Sequence, residues 1–248
     1  MTYTTEQAFD SWAEFDRLWS VTAQGFGDEG FYADAAHKYG RPSVELGVGY
    51  GRVAAHTLPD VGIDISSSSL RYCAERVGPA VQLLHDDFCT YRLQEPAALS
   101  YAPLGAFNHI LDSGTRVQAF ANVRANSRSG GLLLFDSYIM SEQRMREMNQ
   151  VMTALAHDDK AALYRTERVI DWNLWLSENH GVAEYLASDG TVLEKRHFPG
   201  PRRCYIPPHQ FAIELGRAGW KVEDLWGGYD QRPFKEGCTR QIWLAVNS

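Results

Sequence analysis

In the opening stretch TTEQAFDSWAEFDRLW the apolar positions Ala8, Trp12, Phe15 and Trp19 recur at helical spacing, and Thr4 with Gln7 makes a capping box. A glycine-rich break, GFGDEG, separates this helix from a second, FYADAAHKYG, which Gly40 and Pro42 stop. Beyond Pro42, short apolar runs alternate with amphipathic ones. The pattern predicts strands at Ser43–Leu46, Val61–Ile65, Val81–His85 and Leu132–Ser137, with a weakly marked one at Leu99–Ala102. Helices are predicted at Arg52–Leu58, at Ser67–Val77 before Gly78, and at Thr115–Asn126, and the turn SGG precedes the fifth strand.

Short buried strands alternating with helices imply βαβ units, hence a mostly parallel sheet covered on both faces. A helix is expected at Ser141–Ala156, and then the period becomes that of strands. RVIDWNLWLSE, GVAEYLAS and TVLEKRHF read as three antiparallel strands, the last two joined at Asp189-Gly190. A helix, PPHQFAIELGRAG, and two strands, KVEDLW and RQIWLAV, complete the chain. No linker-like tract interrupts it, so residues 1–248 are read as one domain. Within it, residues 1–40 are expected as a helical lid, 41–157 as the core, 158–206 as an antiparallel cap and 207–248 as the completion of the sheet.

Chemistry concentrates first at VELGVGYGR. Gly47, Gly49 and Gly51 give up side chains at alternate positions directly behind a strand, with Glu45 just before them. Glycine costs backbone entropy, so its repeated use points to something approaching the backbone closely. In open α/β sheets ligands bind beyond the carboxyl ends of the strands, where this loop falls. The fingerprint G-x-G-x-x-G needs glycine at position 52, and Arg52 stands there, which demotes a nicotinamide oxidoreductase. No G-K-[ST] follows, which excludes a P-loop.

The spacing acid-x-G-x-G-x-G fits Glu45, Gly47, Gly49 and Gly51, and here the chain resembles the class I S-adenosylmethionine-dependent methyltransferases. The resemblance continues in order. VGIDIS ends the second strand with Asp64 and Ile65, and DDFCTYRL after the third is similar to the family's G-D-M-x-x-F stretch. SRSGGLLLFD is similar to its L-x-P-G-G turn, and AGWKVEDLWGGYDQRPF to its A-G-F-x-V run. Asp86 stands where glycine is usual, and Ser129 where proline is usual.

The resemblance implies a Rossmann-like, doubly wound α/β sheet of about seven strands, mostly parallel with an antiparallel C-terminal strand. It also implies S-adenosylmethionine as cofactor, without a metal. Asp64, with Ile65 beside it, would meet the ribose, and Asp87 and Phe88 the adenine. Glu45, Gly47, Gly49 and Gly51 would admit the amino-acid portion.

On the acceptor side, APLGAFNHILD resembles the corresponding loop of small-molecule N-methyltransferases such as the amino-sugar dimethyltransferases, whose histidine faces the substrate. His109 holds that place, and an imidazole titrating near neutrality suits a general base. His85 is expected to bond locally; His37, His56, His157, His180, His197 and His209 are given no role. Trp19, Tyr32, Tyr138, Trp172, Trp175 and Tyr185 are expected to wall a pocket for an aromatic substrate moiety. Asp112, Asp136 and Asp230 are candidates for orienting a cationic acceptor.

Composition then excludes. A formal net charge of −7 opposes a nucleic-acid partner, and the short basic runs EKRHF and PRRCY do not reverse it. The [DNS]-P-P-[YFW] motif of amino-group nucleic-acid methylases is missing, since IPPHQ lies after the cap. No window approaches the roughly 18 apolar residues of a membrane span, and MTYTTEQAFDSW lacks the marks of a signal peptide. Cys73, Cys89, Cys204 and Cys238 form no C-x-x-C pair and are expected as reduced thiols of a cytoplasmic protein. The expected function is methyl transfer to a small-molecule acceptor of secondary metabolism, at nitrogen, oxygen or an electron-rich aromatic carbon such as indole. A nucleic-acid methyltransferase and a noncatalytic S-adenosylmethionine-binding protein are the alternatives, and homo-oligomerisation is left open.

Overall fold

The computed structural model describes residues 4–22, 26–156 and 160–248. Helices α1 (Thr5–Thr22) and α2 (Glu29–Tyr39) come first. Thr4 and Gln7 cap α1 reciprocally, at 3.0 and 3.2 Å. Strands β1 (Ser43–Leu46), β2 (Val61–Asp64), β3 (Gln82–His85), β4 (Ala97–Ala102) and β5 (Ser127–Tyr138) follow, with helices α3 (Ala54–Thr57), α4 (Ser67–Val77) and α5 (Ser113–Ala125) among them. These five strands pair in parallel in the order β3-β2-β1-β4-β5.

β4 is buried at every position. A strand covered on both faces need not alternate, and Ala97, Ala98, Ser100 and Ala102 supply little hydrophobic signal, which explains its weak marking. β5 starts earlier than expected. The SGG stretch lies inside it, at an irregularity where residues 128–131 stand opposite Ala98 and Gly130 takes a φ of 72°.

Along β5, Leu133 and Phe135 point into a core with Phe120 of α5, while Leu134 points into a second core with Phe31, Tyr32 and Ala35 of α2. The expected helix at Ser141–Ala156 is shorter. α6 covers only Glu142–Glu147, Asn149 takes a left-handed φ of 66°, and Met152–Leu155 forms β6.

β6 opens a second, antiparallel sheet with β7 (Ala161–Asp171), β8 (Leu176–Leu186) and β9 (Val192–Cys204). RVIDWNLWLSE is therefore not one strand: it spans the reversal between β7 and β8. There the Asp171 carboxylate accepts from the backbone N–H groups of Asn173 and Leu174, at 2.8 and 3.0 Å. The Asp189-Gly190 turn joins β8 to β9 as expected, with Gly190 at φ 83°. Helix α7 (Pro208–Arg217) and the antiparallel strands β10 (Lys221–Trp226) and β11 (Arg240–Val246) complete the first sheet against β5.

α1 lies across the inner face of the second sheet. Trp12, Phe15 and Trp19 pack there with Leu163, Ala183 and Phe198. A Cβ on Gly181 would stand 2.6 Å from the Phe15 ring, which is why the strand has no side chain at that crossing. No helix among the described residues is long and apolar enough to cross a membrane.

Candidate active site

The three loop glycines all take left-handed φ, at 70°, 55° and 81°, but they face different surroundings. Among the described residues a Cβ on Gly49 would meet nothing within 4 Å. On Gly47 it would press on Ala106 Cβ at 3.1 Å, in the 3-10 segment Pro103–His109. On Gly51 it would stand 2.9 Å from Cys73 Sγ, so this glycine makes room for α4. Gly49 alone of the three looks onto open space.

Asp64 ends β2 and is buried. Its Oδ2 accepts from the Gly49 N–H and its Oδ1 from the Ser66 N–H, each at 2.8 Å. The carboxylate thus ties the glycine loop to the start of α4, and each oxygen keeps a further lone pair for a hydroxyl. Burial raises its pKa to about 6, against the pull of those two hydrogen bonds. Ile65 is half-buried, and its carbonyl lies 2.8 Å from the His85 Nε2. Asp10 of α1 accepts from Ser66 Oγ and the Ser68 N–H, at 2.7 and 3.0 Å, bringing α1 down on this edge.

Glu45 is buried one strand away and accepts the Tyr101 hydroxyl at 3.1 Å; burial pushes its pKa to about 8. After β3, Phe88 is half-buried, edge-on to Phe107 at 5.6 Å and in contact distance of the Gly47 position. Asp87 is exposed, its Oδ1 accepting from the Cys89 N–H at 2.7 Å. Arg52, the residue that departs from the hydride-transfer fingerprint, bonds Asp28 at 2.6 and 2.7 Å and also pairs with Glu29, locking α2 to the loop.

The 3-10 segment carries His109 to the meeting of α1 and β9. Its Nδ1 lies 2.8 Å from the Arg202 carbonyl, which only accepts, so Nδ1 carries the proton and Nε2 keeps its lone pair. Phe9 packs edge-on to the ring at 5.1 Å. Burial, with the Arg203 charge added, lowers the pKa to about 4. The imidazole is therefore neutral at physiological pH, a weaker base than the near-neutral one expected.

No family model matches the chain. A curated protein from Geobacillus thermodenitrificans, described as an uncharacterized methyltransferase, is 26% identical over 198 residues, 76% of this chain and 84% of that one. The CcbJ methyltransferase from Streptomyces caelestis superposes with a TM-score of 0.78 at 21% identity, covering 98% of this chain and 99% of its own. An S-adenosylmethionine-bound amino pentose methyltransferase of calicheamicin biosynthesis from Micromonospora echinaspora gives 0.71 at 16% identity, over 95% and 97%. The chain shares the fold of these methyltransferases.

In this methyltransferase fold the six expected substrate aromatics do not converge. Tyr32 is fully buried in the core, its hydroxyl donating to Asp136 at 2.7 Å, and it leaves no surface for a ligand. Trp19 is buried and Tyr185 half-buried, both in the packing between α1 and the second sheet. Trp172 is 51% exposed and packs edge-on to Trp175 in the β7–β8 reversal. Tyr138 lies at the end of β5, under the guanidiniums of Arg240 and Arg144 at 4.4 and 5.4 Å.

Asp112 caps α5 by accepting from the Thr115 N–H at 2.8 Å. Asp136 is occupied by Tyr32, the Leu104 N–H and Arg240, and Asp230 is an exposed partner of Arg232. His157 lies outside the described residues.

What went unnoticed in the sequence is a charged cluster on the inner face of the second sheet. Glu167 accepts from Ser177 Oγ at 2.6 Å and the Tyr205 hydroxyl at 2.8 Å, and it pairs with Arg144. Burial alone would raise its pKa; Arg203 and Arg144 hold it down at about 2. The signal was present. Arg165 and Glu167 continue the alternation begun by buried Ala161 and Leu163, which puts two charges on an inward face.

Proposed function

We propose that the protein transfers a methyl group from S-adenosylmethionine to a small-molecule acceptor. The observation that carries this reading is the open face at Gly49, bounded by a buried carboxylate that already holds the same loop. A nucleoside diol fits the free lone pairs of Asp64. Phe88 offers a ring face for a base, with Asp87 and Ile65 at its edges, and Glu45, Gly47 and Gly49 border the amino-acid end. Bound there, the cofactor would supply an electrophilic methyl on a sulfonium.

The chain's own residues then have to orient a nucleophile and exclude water. His109 sits under α1 with a fixed tautomer, and its Nε2 lone pair is available to a hydroxyl or amine proton. Because burial keeps the ring neutral, His109 orients an acceptor and takes a proton only as the transfer proceeds. The likeness in fold to an amino pentose methyltransferase supports an acceptor of that size, and the reacting atom is nitrogen, oxygen or an aromatic carbon. A cytoplasmic setting fits the four free cysteines.

The test is a screen of small aromatic amines, phenols, indoles and amino sugars with methyl-labelled S-adenosylmethionine, read by product mass. The reading expects a one-methyl gain on at least one class. Cofactor binding without transfer to any class would favour a noncatalytic binding protein.

A further inference from the structure

The segment Pro103–His109 joins the two halves of the site. Ala106 closes on the glycine loop, its Cβ 3.1 Å from where a Cβ on Gly47 would stand, and His109 ends the segment edge-on to Phe9 of α1. Between these points the backbone is unusual. Leu104 takes φ 52° and ψ 35°, and Gly105 φ 72° and ψ 37°, so left-handed residues follow one another. A left-handed leucine is strained, and such a residue persists only where its surroundings hold it.

Strand β5 holds the segment from both of its faces. On the α2 face Asp136 Oδ1 accepts from the Leu104 N–H at 2.8 Å and from the Tyr32 hydroxyl at 2.7 Å, while Arg240 donates to Oδ2 at 3.2 Å. On the opposite face the Ser137 hydroxyl donates to Asn108 Oδ1 at 2.9 Å. Asn108 Nδ2 in turn donates to the Cys204 carbonyl of β9 at 2.6 Å. A Cβ on Gly105 would stand 2.5 Å from Asn108 Oδ1, so the amide is wedged beneath the left-handed turn.

Phe107 anchors the middle of the segment against Phe120 and Phe135, at 4.5 and 5.2 Å. Apolar packing is non-directional and leaves the two ends free to pivot about that ring. The polar ties at Leu104 and Asn108 are directional and remove the pivot. Asp136, Ser137 and Asn108 are all buried, where a polar group is costly unless its bonds are made. Their bonds are spent on the segment and its neighbours, none of them on the His109 ring itself.

We propose that Asp136 and Ser137 are positioning residues for His109: acting through Leu104 and Asn108, they hold the ring where Nδ1 meets the Arg202 carbonyl and Nε2 is left for the acceptor. This deepens the methyl-transfer reading and rests on it.

The test is side-chain nitrogen NMR of histidine-labelled protein saturated with S-adenosylhomocysteine at neutral pH, with the His109 signals identified by their loss in His109→Gln. Wild type is expected to show His109 as a single neutral tautomer protonated at Nδ1. Asp136→Ala and Ser137→Ala should each lose that single tautomer, because the bond to the Arg202 carbonyl is what fixes it. Asp136→Asn, which keeps an oxygen for the Leu104 N–H, should retain it. With any acceptor the product screen yields, kcat should fall about a hundredfold in the alanine variants while the KM for S-adenosylmethionine stays close to wild type. If Asp136→Ala does not fold, Ser137→Ala and Asp136→Asn decide. A lower melting temperature with the His109 tautomer unchanged in either alanine variant marks a merely structural role and overturns the proposal. A tautomer mixture in wild type, or loss of the single tautomer in Asp136→Asn, overturns it as well. Failure of S-adenosylhomocysteine to bind would instead strike the methyl-transfer reading, and the tautomers are then read on the free protein.

Discussion

Asp64→Asn separates the folding role of this carboxylate from its binding role. In the folded protein the charge is buried, and its rise from 3.8 to about 6 corresponds to about 3 kcal/mol held against the fold above pH 6. The amide removes that penalty. It keeps one acceptor oxygen for either the Gly49 or the Ser66 N–H and turns an NH2 toward the other, which forfeits a charge-assisted bond of about 1.5–3 kcal/mol. The two effects nearly cancel, so the melting temperature should change little.

Binding has no such compensation. A ribose diol would lose its charged acceptor, and the dissociation constant for S-adenosylhomocysteine should rise about tenfold to a hundredfold. The pH dependence gives an independent sign. A carboxyl raised in the folded state costs nothing below its unfolded value of 3.8, costs progressively more up to about pH 6, and a constant amount above. Wild-type stability should therefore fall with rising pH across that window, while cofactor affinity weakens about tenfold per pH unit below about 6. Both slopes should disappear in the variant. Calorimetric titration and thermal melting on either side of pH 6 measure them. An Asn variant that binds as tightly as wild type at neutral pH would refute the assignment of Asp64 to the ligand.

The other predictions follow from the same geometry. Gly49→Val should abolish cofactor binding in titration by filling the open face. Gly51→Ala should instead lower the melting temperature by crowding Cys73 Sγ, part of which Gly51→Ala with Cys73→Ala restores. His109→Ala should slow turnover about 10²–10⁴-fold without changing cofactor affinity. In initial-rate profiles any limb belonging to His109 should lie near pH 4 rather than 6.5, because burial favours the neutral ring. Glu45, held at about 8, is protonated at neutral pH, so the positive end of S-adenosylmethionine should expel a proton on binding. Calorimetry in buffers of different ionisation heat should detect that proton in wild type and not in Glu45→Gln.

The sequence was most legible where structure is local. β1 to β3, the glycine loop and the acid at the end of β2 each carry their own signals in adjacent residues. Recognition failed where partners decide. Met152–Leu155 reads as a continuation of a helix, yet its conformation comes from pairing with Met152 opposite Arg165 and Leu155 opposite Ala162. The β7–β8 reversal was hidden by Ile170, Trp172, Leu174 and Trp175, whose bulk looks like strand, although Asp171 two residues before Asn173 is an Asx-turn signal.

The site was half legible for the same reason. Tyr32 and Trp19 are aromatic because cores need area, and only the three-dimensional packing distinguishes that from a ligand wall. Arg165, Glu167 and Arg203 come from two strands separated in sequence, and their convergence depends on the register of the second sheet.

The most direct measurement is titration of the wild-type protein with S-adenosylmethionine and, separately, with NADH. One saturable site for S-adenosylmethionine and no heat with NADH is the expected result. Tight NADH binding with none for S-adenosylmethionine would contradict the function proposed from this fold.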